Sequence, residues 1–349
     1  MTGTASFNEL ATGLHTFLRS PGGRDNHRWR AWAQTLADDQ DLSADDLRGL
    51  WDVILSFDRT LALRVRRPTP LAGPAVVVAG SGKESFKTFN VSTAAAILAA
   101  AAGAKVVKGV SASVSAVSGS ADILPALGIP VVGDPDDVPR ELDRRGLVFV
   151  PYATFCPVYA DRYDGVFSSL TPFSFFVPAS VLAVGATAFV YGVADTRVGL
   201  AARAIAAARP DIPRGTVVST VLGPGAVMDE RAPFGLNHRA DLDERRITVS
   251  ITRRPVMPDA WAASVRHRSD HSANANQVVA ALSPDGPRGC RASAQLVEHN
   301  AALVLWEYHG RNLSEAEALA RVRSARQEGR AAALLKTLQS QPEGAHRAH

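Results

Sequence analysis

The chain has 349 residues, of which 46% are hydrophobic and 21% charged, and its formal net charge of +4 is spread along its length. That length permits one large domain with a smaller one, and that composition excludes a disordered or fibrous chain. Only Cys156 and Cys290 are present, which excludes a disulfide framework and fits a reducing cytoplasm, while the modest charge offers nucleic acid no concentrated stripe.

The opening MTGTASFNEL lacks the basic and then apolar run of an export signal, so the expected location is cytoplasmic. Residues 7 to about 65 read as helical, with Leu42, Leu47, Leu50, Trp51, Ile54, Leu55 and Phe57 at helical spacing. Ser43 is placed to cap a helix whose first turn holds Asp45 and Asp46, acidic charge at the positive end of the helix dipole. Pro68, Pro70 and Pro74 end this region and mark the passage into a second domain.

From Ala75 the pattern alternates between strand and helix. AVVVAG, AKVVKGV, IPVVG, LVFVP, TAFVYGV, GTVVSTVL and ITVSITR read as strands; TAAAILAAAAG, ADILPALG and GLAARAIAAAR read as helices between them. Strands separated by helix-length segments predict a parallel sheet with crossovers. Val166 to Ala194 carries no charge and is long enough to span a membrane, but Pro172, Pro178, Gly185 and Gly192 interrupt it, so a buried segment is expected. A loop rich in charge, Pro and Gly follows ITVSITR, then two helices, SAQLVEHNAALVLWEYHG and SEAEALARVRSARQEGRAAALLKTLQ, and a tail at 341–349 expected to be disordered.

The most informative stretch runs from Val76 to Thr93, VVVAGSGKESFKTFNVST, and feeds the alanine-rich helix. A strand, a glycine turn and a helix start form a natural anion site, because Gly80 and Gly82 admit close backbone approach and the first amides of the helix lack partners. A Walker A loop would need glycine at Val77 and Ser or Thr at Glu84, and a dinucleotide fingerprint would need glycine at Ser85, so both are excluded. A capped helix with no ligand is the bland alternative for this segment taken alone.

Read with its neighbours, the segment resembles the anthranilate phosphoribosyltransferase family, as a divergent member of glycosyltransferase family 3. That family carries GTGGD and then TFN(I/V)ST. Here Gly80, Ser81 and Gly82 keep the turn, Lys83 replaces a glycine, Glu84 replaces the aspartate, and Thr88 to Thr93 match throughout. The family's KHGNRxxSSxxGSxD is met by Lys108, Ser115, Gly119, Ser120 and Asp122, while its His, Gly, Asn and Arg fall on Gly109, Val110, Ser111 and Ala112. Met228-Asp229-Glu230, after the strand TVVSTVL, matches an acidic pair that binds magnesium in the family.

The resemblance implies an α/β fold: a small all-helical domain (1–68 with 165–187) that dimerises, and a larger domain (69–164 with 188–340) whose mainly parallel central sheet is flanked by helices and binds phosphoribosyl pyrophosphate. It implies a Mg²⁺-dependent pentosyltransferase acting as a homodimer. The metal residues would be Ser92, Asp229 and Glu230; the catalytic residues Lys108 and Glu84; and the substrate-binding residues Gly80, Ser81, Gly82, Asn90, Ser92, Thr93, Lys108, Ser111, Ser118, Gly119, Ser120 and Phe167. Phe167 and Phe173 fall where the family has arginines, one of which holds the acceptor carboxylate. Without the guanidinium that carboxylate loses its bidentate partner, so an aromatic acceptor other than anthranilate is expected, in specialised metabolism rather than tryptophan synthesis.

Phe155, Tyr159, Tyr163, Phe173, Phe175 and Phe176 are candidates for the acceptor pocket or for the helical core, and Arg162 could recruit an anion. His238 is a weak candidate for acceptor-proton removal. His267, Asp270 and His271 would ligate metal only if helical, and read better as an exposed polar loop. Two rivals stay open: a non-catalytic nucleic-acid-binding relative, and a phosphorylase acting on nucleosides.

Overall fold

The computed structural model describes residues 7–20, 26–111, 119–286 and 290–340. Its N-terminal part is helical, in segments Phe7–Arg19, Asn26–Asp38, Ala44–Phe57 and Arg59–Arg66. Ser43 caps the third of these in a reciprocal capping box with Asp46, as its sequence predicts.

The rest is built on one sheet of strands β1 (Val76–Gly80), β2 (Val106–Val110), β3 (Leu147–Pro151), β4 (Ala188–Gly192), β5 (Arg214–Gly223), β6 (Ala226–Met228), β7 (Leu236–Asp243) and β8 (Arg246–Arg253). Their order is β3-β2-β1-β4-β5-β7-β8, with β6 paired to β5. The first five are parallel, and β6, β7 and β8 add antiparallel. β1, β2 and β4 are short runs buried on both faces, which is why they read as continuous apolar segments. Alternate residues serve opposite cores: Val77 and Ala79 join the cluster that includes the N-terminal helices, with the Val177–Ser180 turn against the strand, whereas Val76 and Val78 join that of the Val91–Ala101 and Arg291–Tyr308 helices.

From β1 the chain moves outward through β2 and β3, then returns to lay β4 and β5 on the other side. The crevice where the order reverses lies at the carboxyl ends of β1 and β4, where Gly80 and Gly192 are register partners. Open parallel sheets bind ligands at such a switch point.

Two expectations are corrected and one strand is added. IPVVG is no strand: Val132 N–H donates to Phe149 O, but Pro130 has no donor to offer a ladder and the chain turns away at Gly133. LNHRADLD, which the sequence pattern does not assign, is β7; it buries Ala240 and Leu242 on one side and joins β8 through a turn at Glu244 with φ 55°. The charged stretch after β8 holds two helices, Asp259–Val265 and His271–Leu282. The uncharged segment from Val166 becomes short helical turns and then β4, and no helix of the described residues is long and apolar enough to cross a membrane. The tail at 341–349 lies outside the described residues.

One buried carboxylate organises three helices. Asp58 is fully buried; its N–H donates to Ile54 O at the end of one helix, and its Oδ1 accepts from Leu61 N at the start of the next. Its Oδ2 accepts from the amides of Val158 and Tyr159, opening the Pro157–Tyr163 helix. Asp58→Ala strands three buried amides and is expected to cost about 2–4 kcal/mol in urea unfolding, with Asp58→Asn intermediate because one acceptor oxygen survives.

Candidate active site

At the end of β1 the chain turns sharply, with Gly82 at φ 62°, a backbone region that favours glycine. The turn is anchored from two sides. Ser81 N–H donates to Gly192 O (2.9 Å), and Ser81 Oγ accepts from Ala194 N (3.1 Å). Asp229 Oδ2 accepts from Ser81 Oγ (3.1 Å) and from Gly82 N (3.0 Å). The segment following β6 therefore leans directly on the glycine turn.

Behind Asp229, Glu230 is buried; its Oε1 accepts from Thr88 Oγ1 (2.9 Å) and its backbone carbonyl from Thr220 Oγ1 (2.7 Å). Its Oε2 and the Oε2 of Glu84 are both buried without a hydrogen-bond partner. Burial first, and Asp229 next, push the Glu84 carboxyl up to about 7. Glu230 is raised well above the usual carboxylate range by burial, then by Asp229 and Glu84. Lys87 Nζ stands 3.5 Å from Glu84 Oε1. Lys108 is buried on β2 with Nζ donating to Gly109 O (2.7 Å), and burial lowers its pKa to about 8 against the attraction of Asp229 and Glu230.

These groups share one cavity. Its polar half is bordered by Gly80, Ser81, Gly82, Glu84, Thr88, Asn90, Ser92, Lys108, Ser111, Gly119, Ser120, Asp229 and Glu230. Ser111 N–H donates to Ser120 Oγ (3.1 Å) and Asn90 Nδ2 to Gly119 O (3.1 Å), joining the helix start to the segment after β2. The other half is aromatic: Tyr159, Tyr163, Phe167 and Phe173, with Tyr159 and Tyr163 stacked at 5.0 Å and Phe167 5.0 Å from Tyr163.

Most candidates named from sequence thus meet at one place, with clear exceptions. Thr93 is fully buried and does not border the cavity. Ser118 and Ser115 lie outside the described residues. Phe155, Phe175 and Phe176 belong to the apolar core. Arg162 is spent elsewhere, donating to Phe17 O and Ser20 Oγ with its guanidinium over the Phe17 ring. His238 sits within β7 opposite Ser219, away from the cavity, which removes it as an acceptor base.

Lys83, Thr88, Asp164 and His267 also line the cavity, though sequence reasoning assigns none of them a place in the binding site. Lys83 carried a signal, a long cation inside a glycine motif. His267 was weighed only as a metal ligand; it reaches the cavity because Thr88 bridges to Arg266 and its own ring contacts Thr88 O (3.1 Å). His267, Asp270 and His271 do not gather as ligands, since among the described residues no three His, Cys, Asp or Glu side chains are set to hold a metal by themselves.

Residues 72–332 match the model of the glycosyl transferase family, a/b domain. The chain belongs to this family. It is 35% identical over 188 residues to the anthranilate phosphoribosyltransferase of Bacillus licheniformis, covering 49% of this chain and 54% of that protein. It is 42% identical over 98 residues to that of Corynebacterium aurimucosum, covering 28% and 27%. The chain thus spans about half the length, or less, of these curated relatives. Among solved structures, the anthranilate phosphoribosyltransferase of Thermus thermophilus superposes with a TM-score of 0.72 at 20% identity, covering 97% of this chain and 95% of that one. That of Saccharomyces cerevisiae in complex with PRPP and Mg gives 0.71 at 18%, covering 95% and 92%. The glycine turn, the Asn90-Val91-Ser92-Thr93 helix start and the Asp229-Glu230 pair all lie within the family's matched span.

The crowded carboxylates have a consequence for stability. A folded Glu84 that titrates near 7 against an ordinary 4.5 binds its proton more tightly than the unfolded chain does, so its contribution is complete at low pH and is lost as pH rises through about 7. Glu230 and Asp164, raised by burial, act in the same direction. Between about pH 4.5 and pH 7 the urea midpoint of the metal-free protein is therefore expected to fall relative to that of Glu84→Gln, a comparison in which the opposing effect of His299, lowered to about 4 by burial, is common to both.

Proposed function

We propose that the protein transfers the 5-phosphoribosyl group from phosphoribosyl pyrophosphate to an aromatic acceptor other than anthranilate, releasing pyrophosphate, with Mg²⁺ as cofactor. The carrying observation is the joining, at the sheet's switch point, of a glycine turn and helix start to acidic side chains that have unpartnered oxygens. The glycine turn and the amides near Asn90 and Ser92 suit phosphate oxygens, and Lys108 supplies a buried cation beside them. The donor named for the yeast structure is the same compound.

The acidic residues fit a hard divalent ion. Glu84 Oε2 and Glu230 Oε2 are buried without partners, and burial first, then like-charge crowding, raises both carboxyls. Mg²⁺ typically takes one or two carboxylates and completes its shell with water and phosphate oxygens, so no closed cage of protein ligands is required. Asp229 and Glu230, with Ser92 across the cavity, would hold it. When bound, it would neutralise charge on the departing pyrophosphate. The protein's own residues do the rest by positioning: the glycine turn and Lys108 fix the donor's anionic groups, and the aromatic half holds a ring and excludes water as C1 of the sugar becomes electron-poor.

Phe167 supports the departure from anthranilate. It fills, at 2% exposure, the place of the family's acceptor-binding arginine, in contact with Phe17, Tyr163 and Phe173. We extend the reading to a helical part, 1–68 with 165–187, that contributes a homodimer contact, and an α/β part, 69–164 with 188–340, that binds the donor.

Calorimetry with phosphoribosyl pyrophosphate and Mg²⁺ tests the proposal. Asp229→Asn keeps an oxygen for Gly82 N–H but removes the charge, and is expected to weaken donor binding by roughly tenfold or more, as loss of a charged ligand should. Equal binding by wild type and Asp229→Asn, or donor-independent binding of a DNA oligomer instead, defeats the reading. Release of a base from nucleosides dependent on free phosphate would replace transfer by phosphorolysis.

A further inference from the structure

The sequence departs from the family's motifs at two positions that lie far apart in the chain and meet in space. Lys83 stands where the glycine motif has a glycine, and Phe167 stands where an arginine would grip the acceptor's carboxylate. In the folded chain Lys83 Nζ donates to the backbone oxygen of Phe167 at 2.7 Å. One departure removes a cation from the acceptor half of the cavity; the other delivers one to the same residue.

We propose that Lys83 is the specificity-determining residue for the acceptor, its ammonium pairing with an anionic substituent on the aromatic ring held by Tyr159, Tyr163, Phe167 and Phe173. The assignment rests on the transferase reading above, and it adds how the acceptor is gripped: an anionic group held by a point charge from the glycine-turn side, in place of the bidentate guanidinium whose loss sets anthranilate aside.

Three observations carry it. Lys83 borders the cavity together with all four aromatic residues, so it is within the same enclosure as the ring. Phe167 O takes one of its three N–H bonds, and Glu84 and Asp164 act on it as charged neighbours outside salt-bridge distance, so two donors remain for a ligand. Finally, Tyr159, which also lines the cavity, has its hydroxyl buried without a hydrogen-bond partner. An apolar ring alone would leave the Tyr159 hydroxyl and two N–H groups of Lys83 without acceptors, whereas an anionic ring supplies oxygen atoms for them.

Benzoate and its neutral isostere benzamide are the probes, with binding to the full chain followed by calorimetry in wild type, Lys83→Met and Lys83→Arg. Wild type is expected to favour benzoate over benzamide by roughly tenfold or more, the effect of one charged hydrogen bond. Lys83→Met should abolish that preference while benzamide affinity stays within about twofold, and Lys83→Arg should restore most of it, since a planar cation can reach the same anion. Equal binding of the two probes by wild type overturns the proposal. So does equal weakening of both probes in Lys83→Met, which would make Lys83 a strut across the cleft. Binding of phosphoribosyl pyrophosphate with Mg²⁺ is measured on the same samples: its absence from wild type would defeat the transferase reading while leaving the benzoate comparison intact, and its retention in Lys83→Met shows that the variant is folded.

Discussion

The site depends on how closely a turn can approach a sheet. Gly80 and Gly192 end adjacent parallel strands in register, and the Asp229 segment is laid across them. A Cβ on Gly192 would fall 1.9 Å from the Asp229 carbonyl oxygen, and one on Gly80 would fall 3.1 Å from its carboxylate. Gly192 must stay bare for the acidic pair to reach the glycine turn, and a side chain at Gly80 would press the Asp229 carboxylate by a few tenths of an ångström. With Asp229 there, its carboxylate fixes Ser81 and Gly82, and Glu230 is drawn down to Thr88. Loop, helix start and acidic pair are thus a single construction with a steric rule at its centre.

The same approach makes the apo site electrostatically uncomfortable. Burial of Glu84 and Glu230 beside Asp229 disfavours their charged forms, and the nearby cations are themselves depressed by burial, Lys83 and Lys108 to about 8. A hydrophobic replacement of similar shape would make a more stable protein without a place for phosphate. Such arrangements are a mark of sites whose ligands complete the charge balance.

What was legible in the sequence was local. VVVAG reads as a buried strand because every residue is apolar, and Ser43 reads as a cap because Asp45 and Asp46 follow it in the first turn. β7 was hidden because alternate burial of Ala240 and Leu242 is masked by the charged residues between and around them: Asp241 pairs with Arg239 of the same strand and with Arg311, and Arg239 pairs with Glu315. IPVVG misled because β-branched content outweighed the missing donor of Pro130. In the site, the motif residues 80–93 announced themselves, but the bond from Lys83 to Phe167 joins segments 84 residues apart and leaves no trace in spacing. The aromatic cluster could be divided between core and cavity only once Phe155, Phe175 and Phe176 were seen on the packed side.

Asp58 lies outside the cavity, yet it fixes the first turn of the helix that carries Tyr159 and Tyr163. The tilt of two cavity walls is thereby set from a residue outside the cavity. A change at this remote anchor can reshape the aromatic half while leaving the glycine turn and the acidic pair on the sheet untouched. The shape of the hole is thus governed from behind its walls as well as by the residues that line it.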